Sequence, residues 1–369
     1  MSILYDEGQS AIGVESRRVL DARTDKARLL GLLEQTGACD QPFWDTVVEQ
    51  GWTGIGIAED HGGLGLGLIE LGLVAQACGA ATAGAPFLAS GYGVAAALQH
   101  GSNLQAAAQW LPKLAIGEVT GALAFAEGSA PLPPQPTTRF SAGKLTGVKQ
   151  GVAGGLTADL ALVWANSSGQ PVLVLVELAG VTRTVVNSFD NSRLYADFAF
   201  DNTPAVLITE GDAAHVLAMD VMARVAVVAA HEQMGGAEAL MLIARDYALT
   251  RRAFGQPIGA FQSVKHRIAE LYGLVEIARA NCIAAAALEG GDGISGPGFL
   301  TAAAAARISA TEAYDTAARD CVQVHGGIGV TWDAGLHLHM RRARSLAIEA
   351  GNLFFWEDVL VHELQEKAA

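Results

Sequence analysis

Two short stretches of this chain combine side chains and spacing suited to holding a phosphorylated ligand. The first is Arg251-Arg-Ala-Phe-Gly-Gln-Pro-Ile-Gly-Ala-Phe-Gln262, and the second is Gln323-Val-His-Gly-Gly-Ile-Gly-Val330. Arginine presents five donors in a planar fork, a natural partner of a diphosphate. The Gly326-Gly327 pair lets a backbone come closer to a ligand than any Cβ would allow. Taken singly, each stretch reads as a helix-end arginine or an ordinary glycine turn. Together they favour a binding site. Other candidates are weaker. His325 beside the glycine pair reads as a helix-end group favoured by the macrodipole. His337 and His339 are separated by a single residue without a third ligand at metal spacing, so no metal site is expected. Trp52, Trp110, Trp164 and Trp332 read as core or interface aromatics.

These groups need a large scaffold, and the composition supplies one. The 369 residues suffice for two or three domains. A hydrophobic content of 51% against 17% charged residues points to extensive burial, including subunit interfaces. The net charge of −14, with no basic run, argues against a nucleic-acid surface. The N-terminus lacks a basic segment followed by an apolar core, so no signal peptide is expected. No apolar run reaches membrane-spanning length without a charge or a glycine-rich break. Cys39, Cys78, Cys282 and Cys321 form neither a CxxC pair nor a short framework, and read as thiols of a reducing cytoplasm.

Along the chain the patterning changes twice. Residues 1–117 carry Ala and Leu at helical spacing, with Leu29, Leu30, Leu32 and Leu33 as markers. A glycine-rich loop from Gly51 to Gly65 interrupts them. Residues 118–211 hold short β-rich runs, among them Leu160-Ala-Leu-Val-Trp164 and Val172-Leu-Val-Leu-Val-Glu177, separated by turn clusters. They predict a small antiparallel barrel or sandwich with a proline loop, Pro131 to Pro136, at one edge. Residues 212–369 return to helix. Phe261, Val264, Ile268, Leu271, Val275 and Ala278 form one apolar stripe, and Gly255 with Pro257 reads as the stop of the preceding helix. A bundle of about four helices follows.

This helical, antiparallel β, helical order, with the two motifs above, resembles the acyl-CoA dehydrogenase family over nearly the whole chain. The resemblance implies an α+β multidomain fold: an N-terminal helical domain, a central β-domain and a C-terminal four-helix bundle. It also implies the reaction, in which a carboxylate removes the α-proton of an acyl-CoA thioester and FAD accepts hydride from the β-carbon. In the family, Arg-x-x-Phe-Gly with its following glutamine, and Gln-x-x-Gly-Gly, serve the FAD of a neighbouring subunit. The matching residues are Arg251, Phe254, Gly255 and Gln262, then Gln323, Gly326 and Gly327. This half of a shared FAD site is intact.

The other half departs from the family. The usual Thr-Glu-Pro-Gly-x-Gly-Ser-Asp run is shortened to Ala126-Glu-Gly-Ser-Ala130. The Lys-x-Trp-Ile-Thr-Asn run becomes Lys149-Gln-Gly-Val-Ala-Gly154. Gly151 replaces the aromatic that packs on the flavin ring and Ala153 the hydroxyl that bonds it. The catalytic glutamate is missing from both positions the family uses, which hold Ala350 and Val225. Two carboxylates lie close by. Glu349 is one residue from Ala350, a turn of about 100° on a helix, and reads as a solvated or capping group. Glu232 stands seven residues beyond Val225 on the same face, about 10 Å along the axis. It is the weak candidate for a relocated base, against a reading as a satisfied interface group.

An enzyme decaying at random would not spare one half of a cofactor site. The pattern therefore resembles the non-catalytic subunit of a heteromeric bacterial acyl-CoA dehydrogenase acting on bulky or steroid-like thioesters. Such a chain lends the adenosine and diphosphate half of an FAD site to a homologous catalytic subunit. Two alternatives stand beside it: an active homo-oligomeric dehydrogenase with Glu232 as base, and a flavin-free scaffold.

Overall fold

The computed structural model describes residues 4–84, 88–290 and 294–368; residues 1–3, part of the N-terminal stretch discussed above, lie outside them. Six helices come first: α1 (Glu7–Arg23), α2 (Lys26–Glu34), α3 (Gln41–Glu49), α4 (Leu68–Ala80), α5 (Leu88–His100) and α6 (Leu104–Ala115). Four of their starts are written in the sequence. Asp6, Asp25, Asp40 and Asn103 each accept a backbone amide of the first turn, worth about 1 kcal/mol apiece. The glycine-rich loop between α3 and α4 folds into two short 3₁₀ turns, Trp52–Gly54 and Glu59–His61. Its glycines have a steric reason, since a Cβ on Gly63 would lie 2.0 Å from the Ile57 carbonyl oxygen.

Eight strands follow: β1 (Gly121–Ala124), β2 (Arg139–Ser141), β3 (Lys144–Val152), β4 (Leu160–Ser167), β5 (Gln170–Glu177), β6 (Thr182–Val185), β7 (Ala196–Pro204) and β8 (Val206–Glu210). They form one sheet in the order β6-β7-β3-β2-β4-β5-β8, with β1 paired to β4. Most pairs are antiparallel, as expected. The exceptions are β1 on β4, which is parallel over Gly121–Ala124, and a single parallel contact of Arg139 with Asn166. The β2–β3 hairpin intervenes between β1 and β4, so the chain crosses over before pairing, and a crossover delivers a parallel neighbour. Strand β4 is buried on both faces. Leu160, Leu162 and Trp164 join the core shared with the helices, while Ala161, Val163 and Ala165 pack in a second core with Phe198 and Phe200. Period-two side chains facing two apolar layers explain its unbroken hydrophobic run. The Trp164 indole N–H donates to the Pro133 carbonyl at 2.9 Å, which seats the proline loop over the helical side of β4.

The remaining elements are α7 (Gly211–Thr250), a hairpin of β9 (Arg252–Ala253) and β10 (Gln256–Pro257), α8 (Gln262–Ala286), α9 (Phe299–His325), α10 (Leu336–Leu346) and α11 (Leu353–Ala368). Helix α7 is central and packs on α4, α5, α8 and α9. Among the described residues it is the one helix long and apolar enough to cross a membrane, and most of that window is buried inside the protein. It crosses α4 at glycines. A Cβ on Gly79 would sit 1.8 Å from the Glu232 carbonyl oxygen, and one on Gly235 would sit 2.0 Å from that of Gln76. Helix α7 stops at Thr250, five residues before Gly255. Gly255 instead shares the hairpin turn with Phe254, at φ values of 84° and 52°. Positive φ at both central residues is the two-residue hairpin geometry whose twist matches the strands. The predicted stripe on α8 is covered only in part: Leu271, Val275 and Ala278 are buried, while Phe261, Val264 and Ile268 are half-buried.

Candidate functional site

A mainly apolar cleft of about 370 Å³ opens where the sheet meets the helices. One wall comes from the end of β1 and the loop after it, through Leu123, Phe125, Ala126, Gly128, Ser129 and Pro131. The tip of β3 adds Gln150, Gly151, Val152 and Ala153. Helix α7 presents Met222, Val225 and Ala229, and the turn between α10 and α11 presents Ile348 to Asn352. Val225 and Ala350, taken from sequence positions 125 residues apart, thus face one space together with Gly151 and Ala153. Neither Val225 nor Ala350 can take a proton. Ala350 adopts φ 53° ahead of Gly351 at φ 94°, which turns the chain sharply at the cleft wall.

Glu349 lines this cleft, and the expectation of a solvated or capping carboxylate is corrected. It is buried, and Arg193 donates to it twice, from Nε at 3.0 Å and Nη2 at 2.7 Å. The Tyr195 hydroxyl donates to the same carboxylate. The turn after α10 is not a regular helix, so counting 100° per residue failed there. Glu232 is not among the cleft-lining residues. Its Oε1 accepts from Arg193 Nη1 at 3.0 Å and from Arg342 Nη1 at 2.9 Å. Arg342 also donates to Asp190 at 2.6 Å, and Asp190 accepts from the Ser192 hydroxyl at 2.5 Å. Arg307 donates to the backbone oxygens of Leu346 and Glu349, fixing the turn that carries Ala350.

The electrostatics of this buried network follow from its pairing. Burial works against the charge on Arg193, but Glu232 and Glu349 outweigh it and hold the guanidinium well above its ordinary value. Burial, reinforced by Glu349, pushes the Tyr195 hydroxyl well above the usual phenol range, so it remains a donor. Burial alone would raise Asp190; the Arg342 charge and the Ser192 and Arg342 hydrogen bonds override it and lower the carboxyl. A carboxylate clamped by a bidentate arginine is well placed to hold a fold together and poorly placed to accept a proton from carbon.

The shortened β-loop is also tied inward. Glu127 accepts from the amides and hydroxyls of Thr137 and Thr138, and from Lys149 Nζ at 2.8 Å. Burial pushes Glu127 upward, but Lys149 and the Thr137 amide prevail and bring it down to about 2. Burial, only partly offset by Glu127, lowers Lys149 to about 8. These polar groups satisfy one another and are not among the residues that line the cleft.

The second candidate region lies on another face. An open groove of about 440 Å³ is lined by Tyr247, Arg251, Ile258, Val324, His325, Gly326, Gly327 and Ile328. The fold thus brings Arg251 to the glycine pair. A Cβ added to Gly326 or Gly327 meets nothing within 4 Å, so their backbones face open space. Phe254, Gln262 and Gln323 do not line the groove. Gln323 is exposed on the last turn of α9, and Gln262 is exposed at the start of α8. Phe254 projects from the hairpin with 96% of its surface exposed, its ring edge-on to Phe261 at 6.2 Å. The paired histidines have separate partners: His337 packs against Trp332, and His339 is hydrogen-bonded to the Tyr314 hydroxyl at 2.9 Å. Trp52, Trp110 and Trp164 are buried; Trp332 is exposed.

Residues 8–118 match the acyl-CoA dehydrogenase N-terminal domain and residues 216–353 the acyl-CoA dehydrogenase C-terminal domain. Acyl-CoA dehydrogenase IpdE2 of Mycobacterium tuberculosis is 32% identical over 309 residues, covering 84% of this chain and 82% of that protein. The chain belongs to the acyl-CoA dehydrogenase family. Among solved structures, a chain of the ChsE4-ChsE5 complex from Mycobacterium tuberculosis aligns with a TM-score of 0.87 at 24% identity, over 99% of both chains. A glutaryl-CoA dehydrogenase from Mycobacterium smegmatis in complex with FADH2 aligns at 0.87 and 19% identity, over 99% of this chain and 96% of that one. Their likeness extends the shared fold through the sheet, which neither domain match covers.

FAD is the cofactor found in the family, and the two regions fit it unequally. The groove fits one polar part of it, with an exposed arginine beside open glycine backbones. The cleft does not fit the flavin ring in the family's manner. Gly151 gives its amide to Asp197 at 2.7 Å and offers no ring face, and Ala153 offers no hydroxyl. Sequence reasoning did not find Arg193 and Tyr195, because their partner Glu349 lies more than 150 residues away and nothing local marks them. It passed over Tyr247 as a site residue, although the tyrosine stands one helical turn before Arg251.

Proposed function

We propose that this chain is the non-catalytic subunit of a two-chain acyl-CoA dehydrogenase, completing the FAD site of a homologous catalytic partner. One observation carries the reading: the cleft at both base positions holds Val225 and Ala350, and its one lining carboxylate, among the described residues, is clamped by Arg193. Arg251, Phe254, Gln262, Gln323, Gly326 and Gly327 are assigned to the partner's cofactor. Arg251 supplies a planar donor fork to a diphosphate, and the glycine backbones allow its close approach. Phe254 covers apolar surface across the interface, which accounts for a large aromatic standing almost fully in solvent. Bound FAD would supply the hydride acceptor. The ChsE4-ChsE5 complex offers a precedent of the same fold paired with a second chain. We assign bulky lipid- or steroid-like acyl-CoA thioesters as substrates. The scattered cysteines, with no CxxC pair among them, suit a reducing cytoplasm.

The test is expression alone and with a homologous subunit, followed by gel filtration and visible spectra. The chain alone is expected to be colourless and to dehydrogenate no acyl-CoA, since a missing general base costs about 10²–10⁴ in rate. The assembled pair is expected to be yellow, and Arg251→Ala in this chain should weaken its hold on FAD. An isolated chain that is yellow and turns over acyl-CoA refutes the proposal.

A further inference from the structure

Besides Arg251 and the glycines, the groove holds a pair of rings. The His325 imidazole stacks on the Tyr247 ring with centroids 4.0 Å apart and planes 23° from parallel. Both residues line the groove. His325 Nδ1 lies 2.8 Å from the Cys321 carbonyl oxygen, one turn back on α9. A carbonyl only accepts, so Nδ1 carries the hydrogen, and a neutral ring then presents Nε2 as an acceptor. The described residues supply Nε2 with no hydrogen-bond partner. The tautomer is thus fixed by the helix, the ring plane by Tyr247, and the remaining lone pair is left beside the arginine and the glycine backbones.

We propose that His325 reads the nucleoside part of the dinucleotide held in this groove, its Nε2 accepting from an amine or a sugar hydroxyl while Tyr247 holds the ring in place. This inference rests on the assignment of the groove to the partner's FAD. It adds a ring-nitrogen acceptor beside the Arg251 donors. Arg251 meets the anionic diphosphate, and His325 meets a donor group of the adenosine. The chemistry separates adenosine from a bare phosphate, which the arginine alone would not do.

The experiment measures the FAD dissociation constant of the assembled two-chain protein by flavin fluorescence. It compares wild type, Arg251→Ala, His325→Phe and His325→Gln. Phenylalanine keeps the stack and removes the acceptor, whereas glutamine keeps an acceptor oxygen. Loss of one neutral hydrogen bond is expected to weaken FAD roughly two- to tenfold in His325→Phe, and less in His325→Gln. An FAD analogue lacking the adenine 6-amino group identifies the donor. If wild type binds it as weakly as His325→Phe binds FAD, the amine is read. If wild type binds both equally while His325→Phe weakens both, the hydroxyl is read. If Arg251→Ala weakens FAD and neither His325 variant does, the inference is wrong and the groove assignment stands. If no variant changes affinity, both are wrong.

Discussion

Removing the Arg193 guanidinium should destabilise this protein more than any change on its surface. In Arg193→Met the side-chain volume is roughly kept and three charge-assisted hydrogen bonds vanish: two to Glu349 at 3.0 and 2.7 Å and one to Glu232 at 3.0 Å. Glu232 retains Arg342 at 2.9 Å, but Glu349 is left buried against the Tyr195 hydroxyl. The damage is therefore mainly one uncompensated carboxylate. Breaking one buried ion pair in this way costs about 3–5 kcal/mol, against a total of about 5–15 kcal/mol for a folded protein. Urea unfolding followed by the fluorescence of the buried Trp164 and Trp356 gives the loss directly. Adding Glu349→Gln should restore at least half, because it removes the stranded charge. A loss below about 1 kcal/mol, or a double variant no better than the single one, would refute the account of a network bound by its charges.

Glu232→Gln leaves Arg193 and Arg342 with less compensation, so it should lower the urea midpoint while the isolated chain shows no turnover either before or after. Turnover in wild type that this variant abolishes would make Glu232 the base. Gly79→Ala places a methyl 1.8 Å from a backbone oxygen of α7. Forcing α4 away should cost about 1–3 kcal/mol, and a neutral result would mean that the helices are not in backbone contact. Burial lowers His231 to about 4 and His339 to about 3, against an ordinary value of 6.5. The unfolded chain therefore binds these protons first, so stability is full above pH 6.5 and falls as the pH drops, by about 1.4 kcal/mol per unit for each histidine. His339→Gln should reduce the slope of stability against pH between 6 and 5 by about 1 kcal/mol per unit, and an unchanged slope would show that His339 titrates normally. Phe254→Ala should leave the stability of the lone chain within about 0.5 kcal/mol and weaken assembly with the partner subunit, a contrast that chemical denaturation and gel filtration can read separately.

The sequence by itself determined the succession of helical, β and helical segments, because periods of 3.6 and 2 are local and need no partner to be seen. It also singled out Val225, Ala350, Gly151 and Ala153 one position at a time, as places where a base, an aromatic or a hydroxyl was expected from the family resemblance, and the structure shows all four around one cleft. Glycine punctuation was legible as well, although the role of Gly255 was misplaced, since a helix stop and a hairpin turn both call for positive φ. Tertiary structure alone decided where the carboxylates go. Nothing near Glu349 or Glu232 in the chain names Arg193 or Arg342 as partners, because ion pairing is set by burial and approach in space. The same holds for the parallel seat of β1 on β4, and for the stack of Tyr247 on His325 across 78 residues of chain. Types of residue and their periods are properties of the chain, whereas the satisfaction of a buried charge belongs to the packed whole.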